Sequence, residues 1–455
     1  MPVDPSIFKA YDIRGVYPDQ LTEETAYKVA RAYSVLIQKE NPGKKLKIVV
    51  GCDMRLSTPS LKKEVIRGLV DSGVDVVDVG LVSTPTYYFS VAFYGYDGGI
   101  QVSASHNPKE YNGFKLTRAK AVPVSANTGI FDIRDSVVRG EFAEVQEKGV
   151  VESKGDVLKE LVKEETKGID LGKIKPFKIV VDAANAMGAI DIEGMFNNLP
   201  TNLVKLNFDL DGNFPSHQAD PLQDKNLLPT QEGVKKEAAD LGIVPDGDGD
   251  RYFLIDEKGD VIRQEILRGI MAQLALKEFP GATVCYDVRP GKITKDMIEA
   301  VGGKASVTKV GHSLIKEQMI RENAVFGGES SGHYFYKFDF GTFESPVKFI
   351  LKFLEFISGQ DKKVSEIVAP YKLYFHSGEI NTTVKNPRAK VEEIATRYKD
   401  AKNISRLDGI TIEYDDYWFN VRPSNTEPLL RLNLEARTQR IMEQKRDEVL
   451  TIMKS

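Results

Sequence analysis

A pattern that occurs three times along the chain constrains the fold more than any other feature of the sequence. Short β-branched runs of the buried-strand type lie at 47–50, 178–181 and 282–286. Helix-compatible segments follow them at 61–70, 190–196 and 293–300. Two further strand-like runs follow in each copy, and the last of them ends near residue 102, 244 or 326. Because strands that alternate with helices form mixed, mainly parallel sheets, the sequence predicts three related α/β domains.

A polar loop that contains glycine follows the last strand of each copy. These loops lie at 103–115, 245–251 and 327–333. Ligands of open α/β sheets bind beyond the carboxyl ends of the strands. If the domains pack around a shared cleft, the three loops would therefore face one another.

Turn-forming residues mark two stretches that we predict to be loops. Residues 8–15 are short, mixed in character and followed by Tyr17-Pro18, ahead of a helix that begins after Thr22. The stretch 103–115 contains two turn signals, Asn107-Pro108 and Asn112-Gly113. A strand that delivers the Ser105 hydroxyl into such a loop could present a nucleophile, although a solvated turn rich in serine and asparagine would have the same composition.

Strands predominate in the last part of the chain. Strand-like runs lie at 371–383, 410–414, 418–421 and 429–434, with helical segments at 391–398 and 439–453. Short connections between neighbouring strands favour antiparallel pairing. We therefore predict three mixed α/β domains plus a smaller C-terminal α+β domain around a central cleft. The predicted domain boundaries are 1–150, 151–252, 253–368 and 369–455.

The composition excludes several classes of function. Among 455 residues, 66 acidic side chains slightly outnumber 62 basic ones, which leaves no global basic surface for nucleic acid or an anionic membrane. No apolar run approaches the ~18 residues of a membrane span, and no signal peptide is visible. The two cysteines, Cys52 and Cys285, fit a reducing compartment. We expect a cytoplasmic protein that binds neither nucleic acid nor membrane.

The second loop alternates three aspartates with two glycines, as Asp246, Asp248 and Asp250. In an extended chain these side chains point the same way, and three carboxylates together favour a hard cation such as Mg²⁺ or Ca²⁺. An EF-hand is excluded, because its sixth position would be Arg251 rather than glycine and the flanking segments are strand-like. The sequence therefore predicts a metal site with few protein ligands, against the alternative of an acidic turn in water.

Two further loops offer groups that suit a sugar phosphate. Glu329 and Ser331 provide an acceptor and a hydroxyl for sugar hydroxyl groups. A dense set of donors near the C-terminus suggests a phosphate-binding loop, although a capping turn between strands is an alternative. This set consists of Arg422, Ser424, Asn425 and Thr426.

These loops, in this order and together with Ala10-Tyr11-Asp12-Ile13-Arg14-Gly15, resemble the α-D-phosphohexomutase superfamily. The likeness is greatest to its bacterial and archaeal phosphomannomutase/phosphoglucomutase branch, and it covers nearly the whole chain. It implies an enzyme that interconverts the 1- and 6-phosphates of mannose, glucose or both. It also implies Mg²⁺ as cofactor and a hexose 1,6-bisphosphate as activator and intermediate.

The resemblance further implies a role for each matching residue. Ser105 would be the phosphoserine, and Asp246, Asp248 and Asp250 would bind Mg²⁺ together with a phosphoryl oxygen on Ser105. Glu329 and Ser331 would contact the sugar, and the 422–426 loop would hold the phosphate that does not react. The remaining matches would line the cleft: Tyr11, Arg14, Lys115, Arg251, His312 and His333. Either Lys115 or His312 could accept the proton of the attacking hydroxyl.

Two departures from the family pattern leave the preferred sugar open. Arg289 stands where this branch often has lysine near the substrate, which keeps the charge but changes its geometry. Ser330 stands where phosphomannomutases commonly have methionine and phosphoglucosamine mutases glutamine. Two other functions remain as alternatives on the same scaffold, a sugar-phosphate binder without catalysis and a phosphatase. The sequence leaves the oligomeric state open and is compatible with a monomer.

Overall fold

A computed structural model of the chain describes residues 3–424 and 429–455. The chain forms two compact units. The first contains Met1–Ile262 and Ser331–Ser365, and the second contains Arg263–Ser330 and Glu366–Ser455. Mixed α/β sheets in both units confirm the predicted fold class. Among the described residues, no helix combines the length and the apolar character needed to cross a membrane.

The first sheet of the first unit has six strands in the order β1-β5-β4-β2-β3-β6. β2 runs parallel to β3 and β4, whereas β5 is antiparallel to β4 and β1. Ile48, Val50 and Ile100 contribute to a hydrophobic core that is completed by the flanking helices. The elements are β1 (Ile13–Val16), α1 (Glu23–Glu40), β2 (Lys47–Cys52), α2 (Thr58–Val70), β3 (Asp75–Leu81), α3 (Thr84–Phe93), β4 (Gly98–Val102), β5 (Tyr111–Arg118), α4 (Ile130–Arg139) and β6 (Val151–Ser153).

Two predicted loops are partly strands, so the sequence interpretation was wrong at both places. Residues 8–15 include the start of β1, which pairs with β5 and buries alternate side chains against the core. Asn112-Gly113 lies inside β5 rather than in a turn. The Asn112 amide is buried and donates to Ser57 Oγ (2.8 Å) and Thr58 Oγ1 (2.9 Å), so tertiary contacts override its turn preference.

A second sheet follows with the order β10-β9-β7-β8. β7 is parallel to β8 and β9, and β10 returns antiparallel to β9. The predicted metal loop is therefore the connection between β9 and β10. The elements are α5 (Val157–Glu165), β7 (Lys178–Asp182), α6 (Gly188–Phe196), β8 (Asn202–Leu206), α7 (Leu228–Glu237), β9 (Leu241–Pro245) and β10 (Tyr252–Asp256).

The third strand–helix repeat begins the second unit. Its strands β12, β11 and β13 are neighbours, and β11 is parallel to both. The elements are α8 (Gln264–Glu278), β11 (Thr283–Asp287), α9 (Lys292–Ala300), β12 (Lys304–Thr308), α10 (His312–Glu322) and β13 (Phe326–Gly328). The chain then re-enters the first unit with an antiparallel hairpin and a helix, namely β14 (Tyr334–Phe338), β15 (Gly341–Glu344) and α11 (Pro346–Ser358), followed by α12 (Val364–Val368).

The C-terminal part of the second unit is an antiparallel sheet of order β16-β21-β20-β19-β18, with β17 also paired to β21. One face buries Ile412, Phe419 and Leu434 in a core that includes residues of both helices. The predicted strand 371–383 is two strands, separated at Gly378, whose φ of +69° bends the chain. The elements are β16 (Phe375–His376), β17 (Ile380–Thr383), α13 (Pro387–Arg397), β18 (Asn403–Ser405), β19 (Ile410–Glu413), β20 (Tyr417–Pro423), β21 (Leu429–Ala436) and α14 (Gln439–Lys454).

Candidate active site

Ser105 lies between β4 and β5, in the first unit, and is buried. Its φ of +51° is in the left-handed region, which is uncommon for a residue other than glycine. The Ser105 amide donates to Ser103 Oγ (3.1 Å), so the neighbouring serine supports the turn. The Ser105 hydroxyl donates to Asp246 Oδ2 (3.1 Å) and lies 3.2 Å from His106 Nδ1. Burial and the cations of Arg251 and Arg14 lower the pKa of His106, which keeps this imidazole neutral.

Arg55 holds the serine loop in this conformation, a role that sequence reasoning missed. Its buried guanidinium donates to the carbonyl oxygens of Ser105 (2.7 Å) and Asn107 (2.6 Å). It also donates to the carbonyl oxygens of Pro108 (2.7 Å) and Tyr111 (3.0 Å). One rigid fork thus fixes four peptide groups, which suits a loop that must present one hydroxyl. The only sequence signal was an arginine soon after the end of β2.

The three aspartates of the β9–β10 connection converge with Ser105. Their candidate ligand atoms lie within 4.8 Å of one another, and all three side chains are buried. Asp246 Oδ1 accepts from the amides of Gly249 and Asp250, both at 3.1 Å, which orients its other oxygen toward Ser105. Gly247 permits the close approach of the two loops, because a Cβ there would clash with the Ser105 carbonyl oxygen.

Lys115 reduces the electrostatic repulsion among the three carboxylates. Its Nζ lies 2.6 Å from both Asp248 Oδ2 and Asp250 Oδ2. Burial favours the neutral amine, but the two carboxylates outweigh it and raise the pKa of Lys115. For Asp246, burial and then Asp250 and Asp248 raise the pKa of the carboxyl well above its usual range. This excess negative charge is what a bound cation would relieve.

The donor set fits a divalent cation. Asp248 Oδ1 is buried and makes no hydrogen bond within the described part of the chain. Its other oxygen accepts from Thr84 Oγ1 (2.5 Å), so the side chain is fixed while one oxygen remains available. Three converging carboxylates are hard oxygen ligands of the kind that Mg²⁺ takes.

Two arginines border the serine and metal loops. Arg14 lies on β1 and donates to Asn107 Oδ1 (2.5 Å) and to Asp12, and Tyr11 precedes this strand. Arg251 follows the third aspartate, with its Nε 3.8 Å from Asp246 Oδ2. Both guanidinium groups therefore bring positive charge to the region of Ser105.

His333 and Ser331 join this part of the site. The Arg251 Nε–H donates to His333 Nε2 (3.2 Å), and that nitrogen also lies 3.2 Å from Asp250 Oδ1. His333 Nδ1 lies 2.9 Å from Ser331 Oγ. The end of the third polar loop is thus connected to the metal loop within the first unit.

Glu329 and Arg289 belong to the second unit. Glu329 is buried and accepts from the Gly311 amide (2.8 Å), next to His312 at the start of α10. Arg289 Nη2 lies 3.9 Å from Glu329 Oε1. The structure therefore brings Arg289 and Glu329 together, and it places His312 next to the residue that binds Glu329.

Asp287 links Arg289 to Ser330 of the 327–333 loop, and sequence reasoning missed it together with Arg268. Asp287 accepts from Arg289 Nε (2.9 Å), from the Ser330 amide (3.0 Å) and from Ser330 Oγ (2.9 Å). The fully buried Arg268 donates to both Asp287 (3.1 Å) and Ser330 Oγ (3.2 Å). Burial opposes ionisation of Asp287, but Arg289 and Arg268 outweigh it and lower the pKa of the carboxyl well below its usual range.

The predicted phosphate loop begins at the end of β20. Arg422 Nη2 donates to Glu379 Oε2 (2.7 Å), and Glu379 also accepts from Asn433 (3.2 Å). The Ser424 amide donates to the Leu429 carbonyl oxygen (2.9 Å). Asn425 and Thr426 lie outside the described residues. Sequence reasoning missed Glu379, because nothing in the sequence shows which carboxylate meets an arginine so far away.

Comparison with known proteins matches four successive parts of the chain to the four domains of one family. Residues 5–144 match phosphoglucomutase/phosphomannomutase, alpha/beta/alpha domain I, and residues 159–259 match domain II. Residues 265–374 match alpha/beta/alpha domain III, and residues 379–452 match the C-terminal domain of the same family.

Individual relatives agree with these matches over nearly their full length. The chain is 38% identical to a phosphomannomutase of Vibrio cholerae, over 98% of both chains. It is 40% identical to a phosphomannomutase of Methanocaldococcus jannaschii, over 99% of this chain and 98% of the relative. A crystal structure of a phosphoglucomutase/phosphomannomutase family protein from Burkholderia thailandensis superimposes with a TM-score of 0.91 at 31% identity, covering 99% of this chain and 97% of that one.

Proposed function

Because the chain belongs to the phosphoglucomutase/phosphomannomutase family, we propose that it interconverts hexose 1-phosphate and hexose 6-phosphate through a phosphoserine at Ser105. The chain is an intramolecular phosphotransferase of this family type. The proposed substrates are the phosphates of mannose, glucose or both, and the proposed intermediate is a bound hexose 1,6-bisphosphate. One observation carries the proposal: the buried Ser105 hydroxyl donates to Asp246 within a cluster of three carboxylates.

In the proposed reaction, phosphorylated Ser105 gives its phosphoryl group to a hydroxyl of the sugar monophosphate. The bond from phosphorus to Ser105 Oγ breaks, and a bond from phosphorus to the sugar oxygen forms. The serine oxygen leaves as an alkoxide, and the proton of the sugar hydroxyl goes to a base. In the second step Ser105 Oγ forms a bond to the other phosphorus of the bisphosphate, and the bond from that phosphorus to its sugar oxygen breaks. The sugar oxygen takes up the proton held by the base, which completes the isomerisation. Such a transfer depends mainly on positioning and on neutralisation of charge.

Asp246, Asp248 and Asp250 would hold Mg²⁺ together with an oxygen of the phosphoserine. When bound, the ion supplies positive charge against the phosphoryl oxygens. Arg14 and Arg251 add positive charge from the protein itself.

Lys115 and His312 are the two candidates for the proton acceptor. Lys115 is protonated while it pairs with Asp248 and Asp250, so it can accept a proton only after those contacts loosen. His312 is the alternative, at the start of α10 in the second unit. A Lys115→Arg variant would show whether Lys115 acts as a base or only as a positive charge, because arginine keeps the charge but does not act as a base.

The remaining residues would bind substrate. Glu329 and Ser331 would contact sugar hydroxyls, and the 422–426 loop would hold the phosphate that does not react. This last role includes Arg422, Ser424, Asn425 and Thr426. Tyr11, Arg289 and His333 are the remaining proposed substrate contacts.

Intact-mass measurement tests the central claim. The wild type should gain the mass of one phosphoryl group after incubation with Mg²⁺ and glucose 1,6-bisphosphate, and Ser105→Ala should not. Ser103→Ala is the matched control, because Ser103 lies two residues away and should still allow phosphorylation at Ser105. A wild type that never carries a phosphoryl group, or a Ser105→Ala variant that still does, would refute the assignment.

Conversion of mannose 1-phosphate and glucose 1-phosphate to the 6-phosphates tests the activity itself. Absence of conversion of both substrates, with Mg²⁺ and the bisphosphate present, would contradict the proposed function. Release of inorganic phosphate faster than isomerisation would favour a phosphatase instead.

A further inference from the structure

A cavity of about 210 Å³ lies in the second unit, between the end of β11 and the C-terminal sheet. It is smaller than the roughly 300–1,000 Å³ of typical pockets for drug-sized ligands. Its size therefore favours a small ligand over a nucleotide sugar or a dinucleotide. Three cations line it, Arg289, Lys292 and Lys295.

One face of the C-terminal sheet provides a polar wall for this cavity. On β20 the side chains alternate, so Tyr417 and Phe419 enter the core while Trp418 points to the opposite face. Glu413 is the direct partner of Trp418 across the strands, and Asn403 is the partner of Glu413. The same register brings Thr411 and Ser405 to this face. An indole, a carboxylate, an amide and two hydroxyls therefore line one wall of the cavity.

The cavity is separate from the predicted phosphate loop. Arg422 lies four residues beyond Trp418 on β20, which corresponds to about 13 Å along a strand. Arg422 is held by Glu379, which does not line the cavity. Only Arg289 is common to the cavity and to the proposed substrate contacts.

The charge of the cavity favours an anion. Asp287 is engaged by Arg268 and Arg289, so its charge is already neutralised. Lys292 Nζ lies 3.3 Å from Glu413, and Lys295 Nζ lies 3.9 Å from Glu299. Two ammonium groups on one turn of α9 thus line the cavity, where a phosphate can replace or join these partners.

We propose that this cavity is a second binding site, for a small phosphorylated sugar. Lys292 and Lys295 bind the phosphate, the Trp418 ring supports the apolar face of the sugar, and Glu413 and Asn403 bind its hydroxyls. The combination of a cationic end, an aromatic wall and mixed donors and acceptors matches a sugar monophosphate better than a simple anion or an apolar molecule. The lining of this site shares Arg289 with the proposed substrate contacts and includes neither Ser105 nor the three aspartates of the metal loop.

A ligand in this cavity would affect the 327–333 loop, which is proposed to bind the sugar. A phosphate that attracts Arg289 competes with Asp287, which also fixes Ser330. Occupancy of the cavity therefore changes how firmly residue 330 is held. We expect the bound sugar phosphate to alter KM at the reaction centre more than kcat.

Trp418 gives a direct assay, because it is the only tryptophan of the chain. Mannose 6-phosphate is titrated without Mg²⁺ or bisphosphate, so that no turnover occurs, and tryptophan emission is followed together with calorimetric stoichiometry. The wild type should show a saturable change in emission and two equivalents bound. The double variant Lys292→Gln/Lys295→Gln should bind one equivalent and lose the emission change, or require at least tenfold more ligand.

A control double variant, Lys277→Gln/Lys304→Gln, removes the same charge from exposed positions outside the cavity. It should behave as the wild type. If the first double variant fails to fold, Lys295→Gln alone replaces it, since this partly exposed lysine makes only a long ion pair.

Three results would overturn the proposal. These are a single equivalent bound by the wild type that the lysine double variant still binds, an emission change that survives in the lysine variants, or a change produced equally by inorganic phosphate. A protein without mutase activity that still binds two equivalents would refute the proposed function but support this site.

Discussion

Glu165 should make the stability of the first unit fall as pH rises. Its side chain is fully buried at the end of α5, where one oxygen accepts from Ser345 Oγ. The other oxygen has no hydrogen bond within the described ranges. Burial raises the pKa of Glu165 from its ordinary value of 4.5 to about 8. The folded chain therefore binds this proton more tightly than the unfolded chain does.

The direction and size of the change in stability with pH follow from this difference in proton affinity. The protonated carboxyl stabilises the folded state fully below pH 4.5, and that contribution is lost as pH rises to about 8. At about 1.4 kcal/mol for each pH unit, the interval amounts to about 5 kcal/mol. Relaxation of the surroundings when the carboxylate forms reduces this figure, so we expect a measured decline of roughly 2–5 kcal/mol.

Native-state hydrogen exchange measured by mass spectrometry follows the local free energy of opening at α5 and α11. Between pH 5 and 8, and after correction for intrinsic exchange rates, the decline should be smaller in Glu165→Gln than in the wild type by roughly 2–4 kcal/mol. The neighbouring Asp191, whose pKa burial raises to about 7, titrates in both proteins and so cancels in the comparison. Glu193→Gln, at a half-exposed glutamate of α6, is the control and should keep the decline. Identical profiles for wild type and Glu165→Gln would refute the reasoning.

Three further predictions concern the serine and metal loops. Gly247→Ala should lower kcat/KM at least 100-fold with little change in overall fold, since its Cβ would clash with the Ser105 carbonyl oxygen; activity near wild type would contradict this packing. Arg55→Lys should lower the free energy of unfolding by about 2–4 kcal/mol in urea, because one ammonium cannot replace a fork that binds four carbonyl oxygens. Mg²⁺ at 100 times its Kd should stabilise the wild type by about 2.7 kcal/mol in the same assay. Chelation should reverse this gain, and Asp248→Asn should largely abolish it.

The sequence predicted the regular elements well because burial imposes periodicity on them. The strands β2, β7 and β11 are apolar runs with adjacent helices, and their positions agree with the structure within a few residues. β1 was missed because it has four residues and lies at the edge of its sheet. Gly113 was misread as part of a turn, whereas it lies in β5 where a Cβ would clash with the carbonyl oxygen of Ile13. Local propensity does not reveal such a close approach between strands.

The parts of the site that the sequence did not predict are the partners of its arginines. Arg14, Arg289 and Arg422 were each expected to meet a substrate, and each already pairs with a carboxylate of its own unit. These carboxylates are Asp12, Asp287 and Glu379. The pairs join elements whose proximity depends on the tertiary fold or on turn geometry, so no sequence spacing indicated them.

These pairs bear on how a chain with a net charge of -4 would bind the dianionic phosphate of its proposed substrate. A carboxylate that binds one edge of a guanidinium group fixes the direction of that group. The remaining N–H groups of the guanidinium stay available for another ligand. Glu379 does this for Arg422 while Asn433 supports the carboxylate from the side. Replacing Glu379 with glutamine would keep these contacts but remove the competing charge, whereas alanine would release the arginine. If orientation matters more than charge, Glu379→Gln should retain substrate affinity and Glu379→Ala should raise KM at least tenfold. Equal values of KM for the two variants would show that the pair does not position Arg422.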